Sequence, residues 1–245
     1  GELVTEYGIG NGVSMIIFAG IMAGLPTTIS QLVFNFNAAQ LPLYIGFVFL
    51  AIGIIYAVVV MTEAERVVPI THAKQSRGNL MLTTRGNNSY LPLRLNQAGV
   101  IPIIFALSIL LFPQMILNIL GAFNLPWVAS ANAAIASFMN DYILYGAVYF
   151  VFVFLFTFFY TAVTFDPDAI AKNLQRNGSF IPGIRPGDHT AEYLGNLITR
   201  LTLVGALFLA VVAVLPIALQ VATGIAALAI GGTAILIVVN VVLDL

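Results

Sequence analysis

The sequence predicts an all-α membrane protein, a bundle of transmembrane helices, and three observations support that prediction. Of its 245 residues, 60% are hydrophobic and only 8% are charged, whereas about a quarter of the residues in a soluble domain are charged. The mean hydropathy is +1.01. The apolar residues occur in runs of about 20, which is the length that a helix needs to cross a bilayer. These runs are apolar on every side instead of alternating, so helices are expected and not the strands of a β-barrel.

Six apolar runs are long enough to cross the membrane. They cover residues 12–31, 41–61, 98–120, 143–165, 201–220 and 225–243. The third run contains Pro102 and Pro113, and each proline removes a backbone hydrogen bond and can bend a helix. We therefore predict six spans, the third of which has the breaks that a moving gate helix would need.

The Lys and Arg side chains are confined to two of the connectors between these runs. Five lie between the second and third runs and four between the fourth and fifth, namely Arg66, Lys74, Arg77, Arg85 and Arg94, then Lys172, Arg176, Arg185 and Arg200. Because short cytoplasmic loops are enriched in Lys and Arg, both basic connectors and both chain ends are predicted to be cytoplasmic. The connectors at 32–40, 121–142 and 221–224 carry neither residue and are predicted to be external.

This pattern divides the chain into five predicted parts. They are spans one and two with their external connector (1–62), a first basic loop (63–97), spans three and four (98–165), a second basic loop (166–200), and spans five and six (201–245).

The second basic loop contains its own local signals. Asp166 can cap a helix and Pro167 fits its first turn, so a short helix is predicted from there to about Gln175. The Gly and Pro residues that follow predict tight turns around Arg185, and a second helix is expected from about Thr190. From the residues alone, Arg185 either marks membrane topology or binds a partner.

The sequence lacks the residues that most membrane chemistry requires. It has no Cys, which excludes disulfides, thiolate metal sites and cysteine nucleophiles. The six runs contain no Asp, Glu, Lys, Arg or His, so neither a buried proton relay nor an intramembrane protease site is predicted. His72 and His189 lie in the basic loops, where solvated surface is the simpler interpretation. We expect no cofactor, no metal and no enzymatic activity.

Four strings carry a resemblance to a known family. They are GELVTEYGIGNGVSMIIFAGIMAGLP, LPLRLNQAGVIPIIFALSILLFPQ, FFYTAVTFDPDAIAKNLQRNGSFIPGIRPG and TRLTLVGALFLAVVAVLP. In collinear order over the whole chain, they resemble bacterial SecY, the channel subunit of the Sec protein translocase. That resemblance implies part of a ten-span channel, with the fifth to tenth spans present here. The start at Gly1, without Met or a basic segment, also leads us to expect a longer chain.

The resemblance implies a protein-conducting channel of the bacterial plasma membrane, which passes unfolded polypeptides and releases apolar segments sideways into lipid. The implied partners are SecE- and SecG-type subunits, the motor ATPase SecA, the ribosome, the preprotein with its signal sequence, and membrane lipid. Matching the strings VSMII, GVIPII and GGTAILI to the family implies a pore ring made of Val13, Ile17, Ile104 and Ile237. It also implies a lateral gate along the third and fourth runs.

The same resemblance gives the basic loops a role in binding the ribosome or SecA. Arg185 corresponds to the arginine of the family's GIRPG turn, and Lys74 and Arg77 lie near the tip of the first loop. Many bacterial relatives have paired basic residues where this chain has Gly78-Asn79-Leu80. We therefore expect Lys74 and Arg77 to supply the positive charge there.

A small-solute secondary transporter is the alternative function. Transporters of that kind bind their substrates at broken helices with polar groups near the bilayer midplane. The candidates in this sequence are Asn11, Gln97, Gln114, Asn118 and Asn240, and most of them lie near the ends of the predicted spans.

Overall fold

The structure is a computed structural model that describes residues 6, 12–34, 41–72, 89–121, 126–224 and 238–239. Its helices are α1 (Gly12–Phe34), α2 (Leu41–Glu63), α3 (Ile101–Gly121), α4 (Pro126–Asn140), α5 (Tyr142–Thr164), α6 (Pro167–Arg176) and α7 (Asp188–Thr223). Its strands are β1 (Glu65–His72), β2 (Ser89–Arg94) and β3 (Ser179–Phe180).

The long helices confirm the predicted all-α membrane architecture. Four stretches are long and apolar enough to cross a bilayer: Leu41–Glu63, Ile101–Gly121, Tyr142–Arg176 and Asp188–Thr223. Helix α1 coincides with the first apolar run and extends it to Phe34. Apart from residues 238 and 239, the sixth run lies outside the described residues, so the number of spans stays a prediction.

The second basic loop folds as its local signals predict. The Asp166 carboxylate accepts hydrogen bonds from the backbone N–H groups of Asp168 and Ala169 at 3.0 and 3.1 Å, and Pro167 occupies the first turn of α6. Such a cap satisfies donors that the helix cannot satisfy itself. After the turns, α7 begins at Asp188 and continues without interruption to Thr223. The predicted return helix and the fifth span are therefore one helix of 36 residues.

Two elements were not predicted. Helix α4 lies within the connector 121–142. In addition, the basic loops together form a three-stranded sheet in the order β2-β1-β3. Strands β1 and β2 pair antiparallel from Glu65↔Arg94 to Ile70↔Ser89. Strand β3 pairs with the far end of β1 through Thr71↔Phe180 and His72↔Ser179, so the two loops form a single structural unit.

Residues of α3, α5 and α7, together with Val58 of α2 and Val100 before α3, form the membrane core. Its largest buried members include Tyr149, Val153, Ile103 and Leu209, each no more than 2% exposed. Thr157 and Thr161 are also buried, and their hydroxyls donate to the carbonyl oxygens of Val153 and Thr157 at 2.7 and 2.8 Å. These bonds keep two buried polar groups satisfied within α5 itself.

A second core, the sheet core, lies where the strands pack on the first half of α7. Its buried members are Val68, Leu93, Ile181, Leu194 and Ile198. Because the last two belong to α7, this helix contributes to both cores.

The backbones of two elements come very close at Gly205 in α7. A Cβ atom placed there would lie 2.6 Å from the carbonyl oxygen of Leu95, in the segment that follows β2. The Leu95 N–H in turn donates to the Ala64 carbonyl at 2.9 Å. Only glycine allows this approach, so Gly205 fixes the base of the β1–β2 hairpin against α7.

Candidate functional site

The structure describes the environment of one predicted pore-ring residue. Ile104 lies in the first turn of α3, is half-buried, and packs against the membrane core. Val13 and Ile17 lie within α1, but their side chains are not among the described ones. Ile237 lies outside the described residues. The convergence of these four residues on one pore axis stays a prediction.

The two predicted gate spans pack directly against each other. Their contact includes a stacked pair of rings, Phe105 of α3 and Phe156 of α5, with centroids 6.2 Å apart. The two faces of α3 differ from each other in burial. On one face, Ile103, Ala106 and Leu110 are buried. The other face carries a line of exposed, large apolar side chains, namely Phe105, Ile109, Phe112, Met115 and Ile119. An apolar face of that kind suits contact with lipid or with another helix.

The two prolines act differently on α3. Pro102 lies in the first turn, where a missing N–H costs nothing, and it is buried. Pro113 lies inside the helix, which nevertheless continues to Gly121. Gly99, which lies two residues before the start of α3, has a φ of +58°. This is a backbone conformation that favours glycine. The entry to α3 is therefore sharply defined by Gly99 and Pro102.

The turn around Arg185 is exposed and locally braced. The Ile184 N–H donates to the Ile181 carbonyl at 3.1 Å, and the Thr190 hydroxyl donates to the Arg185 carbonyl at 2.9 Å. Gly183 and Gly187 have φ values of +85° and +99°, which explains the glycines on both sides. The Arg185 side chain thus projects from a turn whose backbone is fixed at both ends.

Lys74 and Arg77, with the neighbouring Gly78-Asn79-Leu80, lie outside the described residues. What the structure adds is their attachment point, since β1 ends at His72 and pairs there with Ser179 of the second loop. Sequence reasoning missed this link between the loops, because β3 has only two residues and its partner strand lies 109 residues away.

Two buried polar atoms have no hydrogen-bond partner within the described part of the chain. They are the hydroxyl of Tyr149, in the membrane core, and the side-chain oxygen of Asn96, just before α3. Each such atom costs about 1–3 kcal/mol when left unsatisfied. No sequence signal distinguishes these two side chains from satisfied ones.

Two cavities lie between α5 and α7. The larger, of about 440 Å³, is lined by apolar side chains apart from Tyr142. The smaller, of about 250 Å³, includes Thr161, Thr199 and Thr202 in its lining. Among the described residues, no three His, Asp or Glu side chains come together as a metal site would require.

The SecY family matches residues 1–245, the full length of the sequence. The chain belongs to the SecY family. Proteins named protein translocase subunit SecY are 43% identical to it over 247 residues in Pseudomonas aeruginosa and 40% identical over 250 residues in Vibrio cholerae. Both alignments cover 100% of this chain but 54% and 55% of the relative, so the chain spans about half the length of these SecY proteins.

Solved SecY-type structures share the fold. One, from a study of how the plug domain of SecY stabilises the closed state of the translocation channel and maintains a membrane seal, has a TM-score of 0.59. It is 20% identical, and the match covers 99% of this chain and 60% of that one. A second, described as a protein conducting channel, has a TM-score of 0.58 at 20% identity and 59% coverage of that chain. At this identity, the likeness to the SecY structures concerns the fold alone.

Proposed function

We propose that this chain forms the C-terminal part of the pore-forming subunit of a protein-conducting channel in the bacterial plasma membrane. The channel passes unfolded polypeptides across the membrane and releases apolar segments into it. The observation that carries the proposal is the match of the whole chain to SecY, together with relatives named as translocase subunits. The chain performs no chemistry in this proposal, and SecA or the ribosome supplies the driving force.

The apolar spans support a seal made of aliphatic side chains. A pore for any polypeptide sequence has to yield sterically and still exclude ions, and an apolar constriction excludes ions by dewetting. We assign this constriction to Val13, Ile17, Ile104 and Ile237. The absence of charged residues from the predicted spans disfavours the transporter alternative, in which polar groups at the midplane would bind a solute.

The two basic loops form the proposed cytoplasmic face, where Arg185, Lys74 and Arg77 contact SecA or the ribosome. SecE- and SecG-type subunits would complete the channel within the membrane, and α3 and α5 would line its lateral gate. The five-part division at residues 62, 97, 165 and 200 stands in this proposal, with the two loops joined by the sheet.

The proposed orientation is tested by cysteine labelling, which is direct because the chain has no Cys of its own. In intact cells, an impermeant maleimide should not label Asn177→Cys but should label Asn140→Cys. Both positions are exposed, so accessibility in the folded protein does not limit either reaction. Ready labelling of Asn177→Cys from outside would contradict the orientation.

Charge reversal at Arg185 should reduce translocation by about tenfold or more, since it disrupts charge complementarity with the partner. Folding should be unaffected, because the Arg185 side chain is exposed, and the turn is held by hydrogen bonds that do not use it, from the Ile184 N–H to the Ile181 carbonyl and from the Thr190 hydroxyl to the Arg185 carbonyl. The measurement is import of a secreted precursor into vesicles containing the full-length channel and SecA. Arg176→Glu, at another exposed arginine of the same loop, is the matched control. If both variants imported the precursor at the rate of the unmodified channel, Arg185 would only mark membrane topology. If the unmodified channel itself imported no precursor, the proposed protein-conducting function would be refuted.

A further inference from the structure

We propose that Asn177 is a site of spontaneous deamidation, and that the junction between the two basic loops controls when the reaction occurs. The loop junction is the pairing of β3 with the last two residues of β1, Thr71 and His72. The inference goes beyond the proposed function and does not depend on it, because the reaction needs only this chain and water.

Asn177 and Gly178 form a sequence pair that favours this reaction. Asn-Gly occurs at residues 11–12 and again at residues 177–178, and the structure describes both members of the second pair. Glycine has no side chain to shield its backbone nitrogen, and its backbone rotates freely. Asn177 and Gly178 are both exposed, so water reaches the site.

The reaction takes place in two steps. In the first, the backbone nitrogen of Gly178 loses its proton and bonds to Cγ of Asn177, while the Cγ–Nδ2 bond breaks and the side-chain nitrogen leaves with that proton as ammonia. In the second, water opens the resulting five-membered succinimide ring. Attack at Cγ gives aspartate, whereas attack at the backbone carbonyl carbon gives isoaspartate, in which the main chain runs through the former side chain.

The folded conformation of Asn177 prevents the first step. The ψ angle of Asn177 is 5°, and ψ is the only backbone rotation that moves the Gly178 nitrogen relative to the Asn177 Cβ. At this ψ the Gly178 nitrogen lies beside the backbone nitrogen of Asn177 and away from its side chain, so the ring cannot close. The Gly178 N–H also donates to the Gln175 carbonyl at 3.1 Å, which keeps its proton in place.

Contacts on both sides of Asn177 hold this conformation. On the helix side, the Asn177 N–H donates to the Asn173 carbonyl at 3.0 Å and closes the last turn of α6. On the strand side, Ser179 is buried and pairs with His72. The loop junction has two residue pairs, against six between β1 and β2. It is therefore the weaker part of the sheet, and its local opening frees ψ of Asn177.

Deamidation would make such an opening permanent. Isoaspartate adds one methylene group to the main chain between α6 and β3, so the end of α6 and the His72↔Ser179 pair cannot both re-form in the same register. Both products also place a negative charge next to Arg176, in the loop that carries Arg185. That charge weakens the attraction of this loop for an acidic partner.

Timed incubation of the full-length channel in nanodiscs tests the proposal. The buffer is mildly alkaline and contains water enriched in heavy oxygen, so only products formed during the incubation carry the label. Digestion with pepsin in acid releases the segment around Asn177, and chromatography with mass analysis separates aspartate from isoaspartate. The folded channel should form both products at least about tenfold more slowly than the same channel unfolded in guanidinium chloride, since ring closure requires local opening.

The double variant Thr71→Pro/His72→Pro changes the loop junction without touching Asn177. The two prolines remove both N–H groups of β1 at the junction, whereas the β1–β2 pairs end at Ile70. Deamidation of the folded variant should be about tenfold faster than in the unmodified channel, because the junction is then open. Thr71→Val/His72→Val keeps both N–H groups and strand-forming residues, and this matched control should react at the unmodified rate. If the double proline variant does not fold, Thr71→Pro alone replaces it.

Three results would overturn the proposal. The first is absence of labelled product at residue 177 in the unfolded channel, which would mean that the site does not react. The second is an equal rate in the folded and unfolded channel, which would mean that the folded conformation gives no protection. The third is an unchanged rate in a folded proline variant, which would mean that the loop junction has no control. None of these depends on the proposed function, because the assay contains no SecA, ribosome or precursor.

Discussion

The double variant Ile104→Asn/Ile237→Asn is expected to make the full-length channel leak ions at least about tenfold faster than the unmodified one. Amide side chains at an apolar constriction hold water in the pore, and lowering the barrier by about 1.4 kcal/mol already gives that factor. Conductance in planar bilayers, recorded without a translocating chain, measures the effect directly.

Loss of packing must be separated from hydration of the pore, because Ile104 also packs against the membrane core. Ile217→Asn is the matched control, since Ile217 is half-buried against the same core but belongs to α7, which contributes no residue to the proposed ring. Both variants should lose thermal stability in detergent, but only the double variant should leak. The ring assignment would be falsified if an intact, folded double variant remained as ion-tight as the unmodified channel.

Gly205→Ala is expected to destabilise the protein by about 2 kcal/mol or more. The added methyl group would lie 2.6 Å from the Leu95 carbonyl oxygen. A backbone oxygen cannot move aside as the end of a flexible side chain can. The substitution would therefore force α7 and the base of the β1–β2 hairpin apart. Thermal unfolding in detergent, followed by loss of helical signal, measures the change.

Gly195→Ala provides the comparison, because it is the same substitution in the same helix. A Cβ atom at Gly195 would meet only the Pro167 ring at 3.7 Å, an ordinary contact. Replacing a helical glycine by alanine normally stabilises by about 1 kcal/mol, so this variant should be as stable as the unmodified protein or slightly more so. If both variants unfolded at the same temperature, the close approach at Gly205 would make no contribution to the stability of the protein.

The membrane helices could be predicted from sequence because the bilayer imposes their length and composition. Helix α2 begins at Leu41 as predicted and α5 begins one residue earlier than predicted, at Tyr142. The start of α6 could also be predicted, since the Asp166 cap depends only on adjacent residues.

The sheet could not be predicted in the same way. Pro69 and Pro92 interrupt the pattern of β1 and β2 and argue against strands, and β3 is defined only by contact with a distant segment. Helix α4 has 15 residues, too few to cross a bilayer, so a search for long apolar runs does not detect it. The candidate site residues also differ in how far the sequence predicts them. Arg185 could be assigned to a turn because glycines and prolines lie on both sides of it. Nothing in the local sequence distinguishes Ile104 from the other isoleucines of α3. Its assignment depends on the family resemblance alone.

The length of α7 has a mechanical consequence. At about 1.5 Å per residue, its 36 residues extend for roughly 54 Å, and Gly205 divides them into arms of about 25 and 27 Å. The close contact with Leu95 therefore lies near the midpoint of the helix, where a fulcrum would be, and Pro216 removes one backbone hydrogen bond from the second arm. A tilt of about 5° around that point would displace each end by roughly 2 Å in opposite directions.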